Sequence, residues 1–361
     1  MINNFSLICI LSMICICFIS CKSSDDDGTY VPVSPVNFDI ENVPYQNLSE
    51  YNFFEDGMSD QTPVYGVIPY EPISQLFTDY AKKKRFVWMP NDVKATYVSD
   101  RDVLNFPLGT VLIKTFYYNN VQPGNTTKII ETRLMIRKNT GWEFANYVWN
   151  DEQTEAILDN NGSFVALEWN EGGQTLNTNY RIPSEAECLT CHKNSNIAIS
   201  IGTKPQNLNK SYNFSDGAMN QLDKLVDFGY LEEFDTSGIN TVLNWADDSQ
   251  PIDMRARSYL DINCAHCHTE NGHCSYRAIR LAFTDSTDDD NAGICAIPDE
   301  DIGASYTHIV SPGRSERSVM AARLMSLDES IQMPLIGRTI LHDEGIQLIS
   351  DWIDQLPQVC N

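Results

Sequence analysis

Residues 254–268 read MRARSYLDINCAHCH, and the last five of them, Cys264-Ala265-His266-Cys267-His268, decide how the C-terminal third is read. Two thiols three residues apart on a helical turn can add across the two vinyl groups of one haem. The His that follows at once presents its imidazole to the iron. Asp253 suits the cap of a helix on which Ala256, Tyr259 and Leu260 share one apolar face, and that helix delivers Cys264. The same spacing recurs upstream as Cys188-Leu189-Thr190-Cys191-His192. The chemical rivals are an all-thiolate zinc site made by two CxxC pairs, a redox dithiol, and two disulfides. The His directly after each pair, and the export signal described below, favour two covalent haem c groups. Cys188, Cys191, Cys264 and Cys267 are then the attachment points, with His192 and His268 as proximal ligands.

A second helix is expected over 342–356, where Ile346, Ile349, Trp352, Ile353 and Leu356 recur at helical spacing and Asp343 and Glu344 suit its first turn. Helices before and after a CxxCH motif, crossing beside the haem edge, are how small class I cytochromes c are built. Between them lies Gln332-Met333-Pro334-Leu335. Pro334 biases Met333 away from helical dihedrals, so its thioether can project from a loop. Met333 is the expected distal ligand of the second haem, and a core methionine is the alternative. For the first haem Met219 is preferred, at the start of an expected helix with Leu222, Leu225 and Val226 on one face. Met254, His273, His308 or an open sixth position are the alternatives.

The rest of the chain sets the context. It has 361 residues, 25 Lys plus Arg against 49 Asp plus Glu, and a net charge of -24, which makes nucleic acid a poor partner. Residues 5–20, FSLICILSMICICFIS, form an apolar run too short for a comfortable span but of signal-peptide length, and Phe18-Ile19-Ser20-Cys21 resembles a bacterial lipobox with Cys21 as the lipidated residue. Lys22-Ser23-Ser24-Asp25-Asp26-Asp27 resembles a surface-export tag. The expected division is therefore a signal peptide over 1–20, an acidic Pro- and Ser-containing tether over 21–48, a β-rich domain over 49–183, a first haem segment over 184–249, and a class I cytochrome c-like domain over 250–361.

In the β-rich part, RFVWM (85–89), GTVLIKTFYY (109–118), TRLMIRK (132–138), EFANYVW (143–149) and FVALEW (164–169) read as strands, with Asn161-Gly162 as a hairpin turn. The fold class expected is multidomain α+β: a β-sandwich-like N-terminal domain followed by α-helical cytochrome c-type segments. Trp88, Trp142, Trp149 and Trp169 are read as packing residues. Lys82-Lys83-Lys84-Arg85 is read as a solvated surface, with a haem propionate or an acidic partner as the alternative. Asp285, Asp288, Asp289 and Asp290 lack the EF-hand pattern for calcium, and Cys274 and Cys295, which flank them, are expected to pair unless Cys360 takes one of them.

Taken together, VIPYEPISQLFTDYAKKKRFVWMP (67–90), FPLGTVLIKTF (106–116), YRIPSEAECLTCH (180–192), NQLDKL (220–225), RARSYLDINCAHCH (255–268), PGRSERS and QMPLIGR resemble a family of exported dihaem c-type cytochromes of Gram-negative bacteria. The resemblance implies a β-rich domain followed by two haem segments, and haem binding by Cys188, Cys191, His192, Cys264, Cys267 and His268. It supplies no substrate. The function expected is an electron carrier, lipid-anchored in the outer membrane and facing the periplasm or the cell surface, with a redox protein as partner. The alternatives are a haem enzyme, such as a dihaem peroxidase or an oxidoreductase subunit with one open haem, and a binding lipoprotein that uses its β domain.

Overall fold

The computed structural model describes residues 32–360 apart from 56 and 358, so the signal segment, Cys21 and the acidic tag lie outside the described residues. The chain is mixed α+β, with an antiparallel sheet over 68–182 followed by a more helical region. The sheet strands are β1 (Ile68–Pro69), β2 (Lys82–Trp88), β3 (Val111–Val121), β4 (Thr126–Lys138), β5 (Gly141–Trp149), β6 (Ala156–Leu158), β7 (Ser163–Glu171) and β8 (Gln174–Ile182).

β1 to β6 pair in chain order, and the β7–β8 hairpin joins at the end of β3, where Val121 faces Trp169. The eight strands thus form one hydrogen-bonded sheet rather than the two separate sheets of a sandwich. Asn161-Gly162 does not close a hairpin, because β6 and β7 do not pair. The two-residue turn is Gly172-Gly173, between paired Glu171 and Gln174, with both glycines left-handed at φ 58° and 79°. Two left-handed residues match the twist of a hairpin, and glycine adopts them without a Cβ clash.

Alternation along the strands covers both faces of the sheet. Val111, Ile113, Leu134, Ile136 and Tyr147 pack on one side with Val43, Leu48, Tyr51 and Phe53. Packing therefore begins inside the segment read as a tether, and Lys138 Nζ fixes it by donating to the carbonyls of Ile40 and Val43. On the other face, Val87, Leu112 and Met135 pack with Leu222, Leu225 and Leu231. The same face carries a row of cross-strand neighbours, Arg85 opposite Lys114, Lys114 opposite Arg133, and Arg133 opposite Asn146.

Among the described residues five helices of more than one turn complete the frame: α1 (Glu185–Cys191), α2 (Gln221–Asp227), α3 (Ile252–Asn263), α4 (Val319–Leu324) and α5 (Asp343–Asp354). α3 and α5 pack together, burying Tyr259, Leu260, Ile349, Trp352 and Ile353, with Trp352 Nε1 donating to Asp253 at 3.3 Å. Gly345 sits where they cross, since a Cβ there would collide with the Tyr259 hydroxyl and the His342 ring. Among the described residues no helix is long and apolar enough to cross a membrane.

Candidate functional site

The first motif rides on α1. Ser184 and Glu187 form a capping box, with the Ser184 N–H donating to Glu187 at 2.9 Å. This starts the helix just after Pro183 and puts Cys188 and Cys191 one turn apart. His192 ends the helix, and its ring meets the Ile199 carbonyl through Nδ1 at 3.1 Å. With Nδ1 protonated, Nε2 keeps its lone pair free for a metal. Burial pulls the His192 pKa down to about 4, so the imidazole is neutral, and burial pushes the Cys188 thiol up.

The second motif leaves α3 as a tight turn, in which Cys267 and His268 both donate to the Cys264 carbonyl at 3.1 Å. The Cys267 carbonyl accepts from the Cys274 N–H at 3.0 Å, and a Cβ on Gly272 would sit 2.6 Å from it. Only glycine permits that approach without a shift of backbone. Burial also holds His268 near a pKa of about 4 and raises the Cys264 thiol to about 12. His268 Nδ1 is buried without a hydrogen-bond partner.

Each motif opens on its own cavity. Cys188, Cys191 and His192 line one of about 340 Å³, whose walls also include the Arg85–Lys114–Arg133 row. Cys264, Cys267 and His268 line one of about 120 Å³, with Leu260, Ile279 and Leu281 on its apolar walls. Met333 also lines the second cavity, held by its N–H to the Arg323 carbonyl at 3.0 Å. Cys191, His266, Pro334 and Ile336 border both spaces. The two motifs, distant in sequence, are thus neighbours in the fold.

That contact creates a constellation the spacing did not indicate. The ligand atoms of Cys191, His266 and Cys267 all lie within 4.8 Å of one another. A hydrogen bond between the two thiols lowers Cys191 and raises Cys267. His266 was only the variable residue inside CxxCH, and its place between two cysteines was the one available sign. Two sulfurs and an imidazole suit zinc or a soft transition metal.

Several expectations fail here. Met219 does not begin a helix. It lies on the second strand of a hairpin over 211–220, is 38% exposed and lines neither cavity. The Asn220 side chain accepts from Leu222 N–H and so starts α2 one residue beyond it. Met254, His273 and His308 also line neither cavity. Cys295 is bonded to Cys360 rather than to Cys274. Cys274 is instead a buried free thiol, held in the second cavity wall by its hydrogen bond to Cys267. The basic cluster is not simply a solvated surface. Lys82 is exposed beside Glu171, but Lys83 Nζ donates to the Leu76 carbonyl and Arg85 is buried. In the acidic loop Asp285 pairs with Arg101, and Asp288 caps the turn at Asn291.

No protein-family model, curated protein or solved structure matches the chain.

Proposed function

We propose that the protein is an exported dihaem c-type cytochrome that carries electrons, anchored through Cys21 to the outer membrane and paired with a redox protein. The observation that carries this reading is the convergence of both CxxCH motifs on adjoining cavities. Their four cysteines are free of disulfides, and both imidazoles are half-buried and held neutral by desolvation. Cys188, Cys191 and His192 would hold one haem, and Cys264, Cys267 and His268 the other. Haem, when bound, supplies a one-electron iron couple.

The chain's own residues have definable parts in this. The Ile199 carbonyl orients His192, the apolar walls exclude water, and Met333 offers a thioether to the second cavity. The first cavity has the size of a ligand pocket, whose usual range starts near ~300 Å³. The second is smaller and takes a macrocycle only if the loop over 332–336 and the Cys191–Cys267 contact give way. With a haem in each cavity, the α3–α5 packing is that of a cytochrome c-type domain.

The Cys191–His266–Cys267 constellation supports a second reading, a zinc or copper site that uses the motifs as thiolate ligands. Expression in a host with c-type attachment machinery separates the two. The haem reading expects two covalent haems that survive denaturation and acid–acetone extraction. A colourless protein with one zinc or copper per chain supports the alternative.

A further inference from the structure

The first cavity is bordered by more positive charge than its carboxylates balance, in a protein whose net charge is -24. Arg181 pairs with Glu187, Lys204 with Asp261, and Arg101 with Asp285. Arg133 donates to both oxygens of Glu131, through Nη2 at 2.5 Å and Nε at 2.9 Å. Glu131 also accepts from the Tyr180 hydroxyl at 2.7 Å. Arg85, Lys114 and Arg338 have no such partner among the described residues, and Arg338 donates instead to the carbonyls of Arg323, Ser326 and Met333. Arg85 is 6% exposed, and its Nη1 has no hydrogen-bond partner. Lys114 stands directly between Arg85 and Arg133 in register.

Like charges directly opposite on neighbouring strands repel, and burial removes the water that would screen them. Burial holds Lys114 well below the usual lysine range, with Arg85, Arg133 and Lys83 pushing the same way. Buried Arg85 and half-buried Lys114 and Arg133 thus stand side by side in one row that lines the cavity, and only Arg133 has a carboxylate against it. Strands lie about 4.8 Å apart, so the row reaches about 14 Å from Asn146, beside Cys188, to Arg85.

We propose that Arg85, Lys114 and Arg133 form an anion-binding floor in the first cavity, built for a carboxylate or a small oxyanion. The anion is either the carboxylates of a porphyrin attached at Cys188 and Cys191 or a soluble oxyanion that enters the cavity. The proposal stands on the charged row and does not require the haem reading.

The test measures thermal unfolding and reduction midpoints of the full chain purified from the attachment-competent host, with sodium nitrite titrated against sodium chloride at constant ionic strength. Wild type is compared with Arg85→Gln, Lys114→Met, the charge-keeping Lys114→Arg, and Lys82→Met as a surface control. A soluble-anion site gives saturable stabilisation by nitrite over chloride. That effect weakens at least tenfold in Arg85→Gln and Lys114→Met and persists in Lys114→Arg and Lys82→Met. Built-in carboxylates give no nitrite response. Lys114→Met then loses several degrees that Lys114→Arg retains, and one haem midpoint falls as a positive charge beside it is removed. The proposal is overturned if nitrite has no effect and Lys114→Met is as stable as wild type or more so. It is also overturned if nitrite has no effect and Lys114→Arg and Lys114→Met fall alike, because the side chain then matters for packing alone. A preparation without haem contradicts the cytochrome reading while leaving the nitrite comparison intact.

Discussion

His342 gives the protein a defined sensitivity to acid. Its ring stacks on Phe77 with centroids 4.0 Å apart, meets the Tyr259 hydroxyl through Nδ1 at 3.0 Å, and lies edge-on to Trp245. Burial pulls its pKa from 6.5 to about 4, against the attraction of Glu344, while Lys83 and Arg338 push the same way as burial. The native imidazole is thus neutral in a range where the unfolded chain's imidazole is protonated. The unfolded state binds more protons between pH 6.5 and 4, so stability falls as the pH is lowered through that window. The gap corresponds to about 3 kcal/mol, lost at a slope approaching about 1.4 kcal/mol per pH unit. The assay is urea unfolding of wild type and His342→Asn at closely spaced pH values from 4 to 7. His342→Asn should be less stable at pH 7 and should show an acid slope smaller by about one proton. If the two slopes coincide across the window, the reasoning about His342 is wrong.

Three further outcomes follow from the same structure. On the haem reading, Met333→Ala turns the second haem high-spin and lowers its reduction midpoint, within the roughly 0.8 V that axial ligands span, and an unchanged low-spin spectrum would remove Met333 as a ligand. Cys360→Ser opens the Cys295–Cys360 bridge, which closes a loop of sequence separation 65, and chain entropy puts the loss at about 4 kcal/mol by denaturant unfolding. A disulfide from Cys295 to Cys274 in the wild-type chain, mapped by peptide mass, would contradict the pairing. Gly272→Ala places a methyl against the Cys267 carbonyl and should cost about 2 kcal/mol while reducing cofactor attachment at Cys264 and Cys267; wild-type stability and attachment would show that the turn is not constrained there.

Much of the scaffold was legible because its signals are local. The aromatic and β-branched runs became β2, β3, β4, β5 and β7, and the stripe from Ile346 to Ile353 became α5, which ends before Leu356. Sheet pairing was less legible. Asn161-Gly162 was read as the hairpin turn, whereas Gly172-Gly173 closes one, and only the pairing of the strands around them decides that. The site was legible as two motifs but not as one neighbourhood. Neither spacing reveals that Cys191 meets Cys267, because that contact depends on how α1 and α3 are held by the sheet. Met219 was misplaced through a single cap at Asn220. Arg85 and Lys114 were hidden for a different reason. In sequence Arg85 ends a run of four basic residues and Lys114 is one charged residue in a strand, and their alignment across β2 and β3 appears only once the register is known.

The central claim, that Cys188, Cys191, Cys264 and Cys267 each carry a thioether bond to porphyrin, is tested most directly by the intact mass of the denatured, purified chain from an attachment-competent host. The account predicts a mass exceeding that of the processed polypeptide by two haems, falling to one haem when Cys264 and Cys267 are both replaced by Ala. A denatured chain of plain polypeptide mass from a host that attaches haem to a control cytochrome would contradict it.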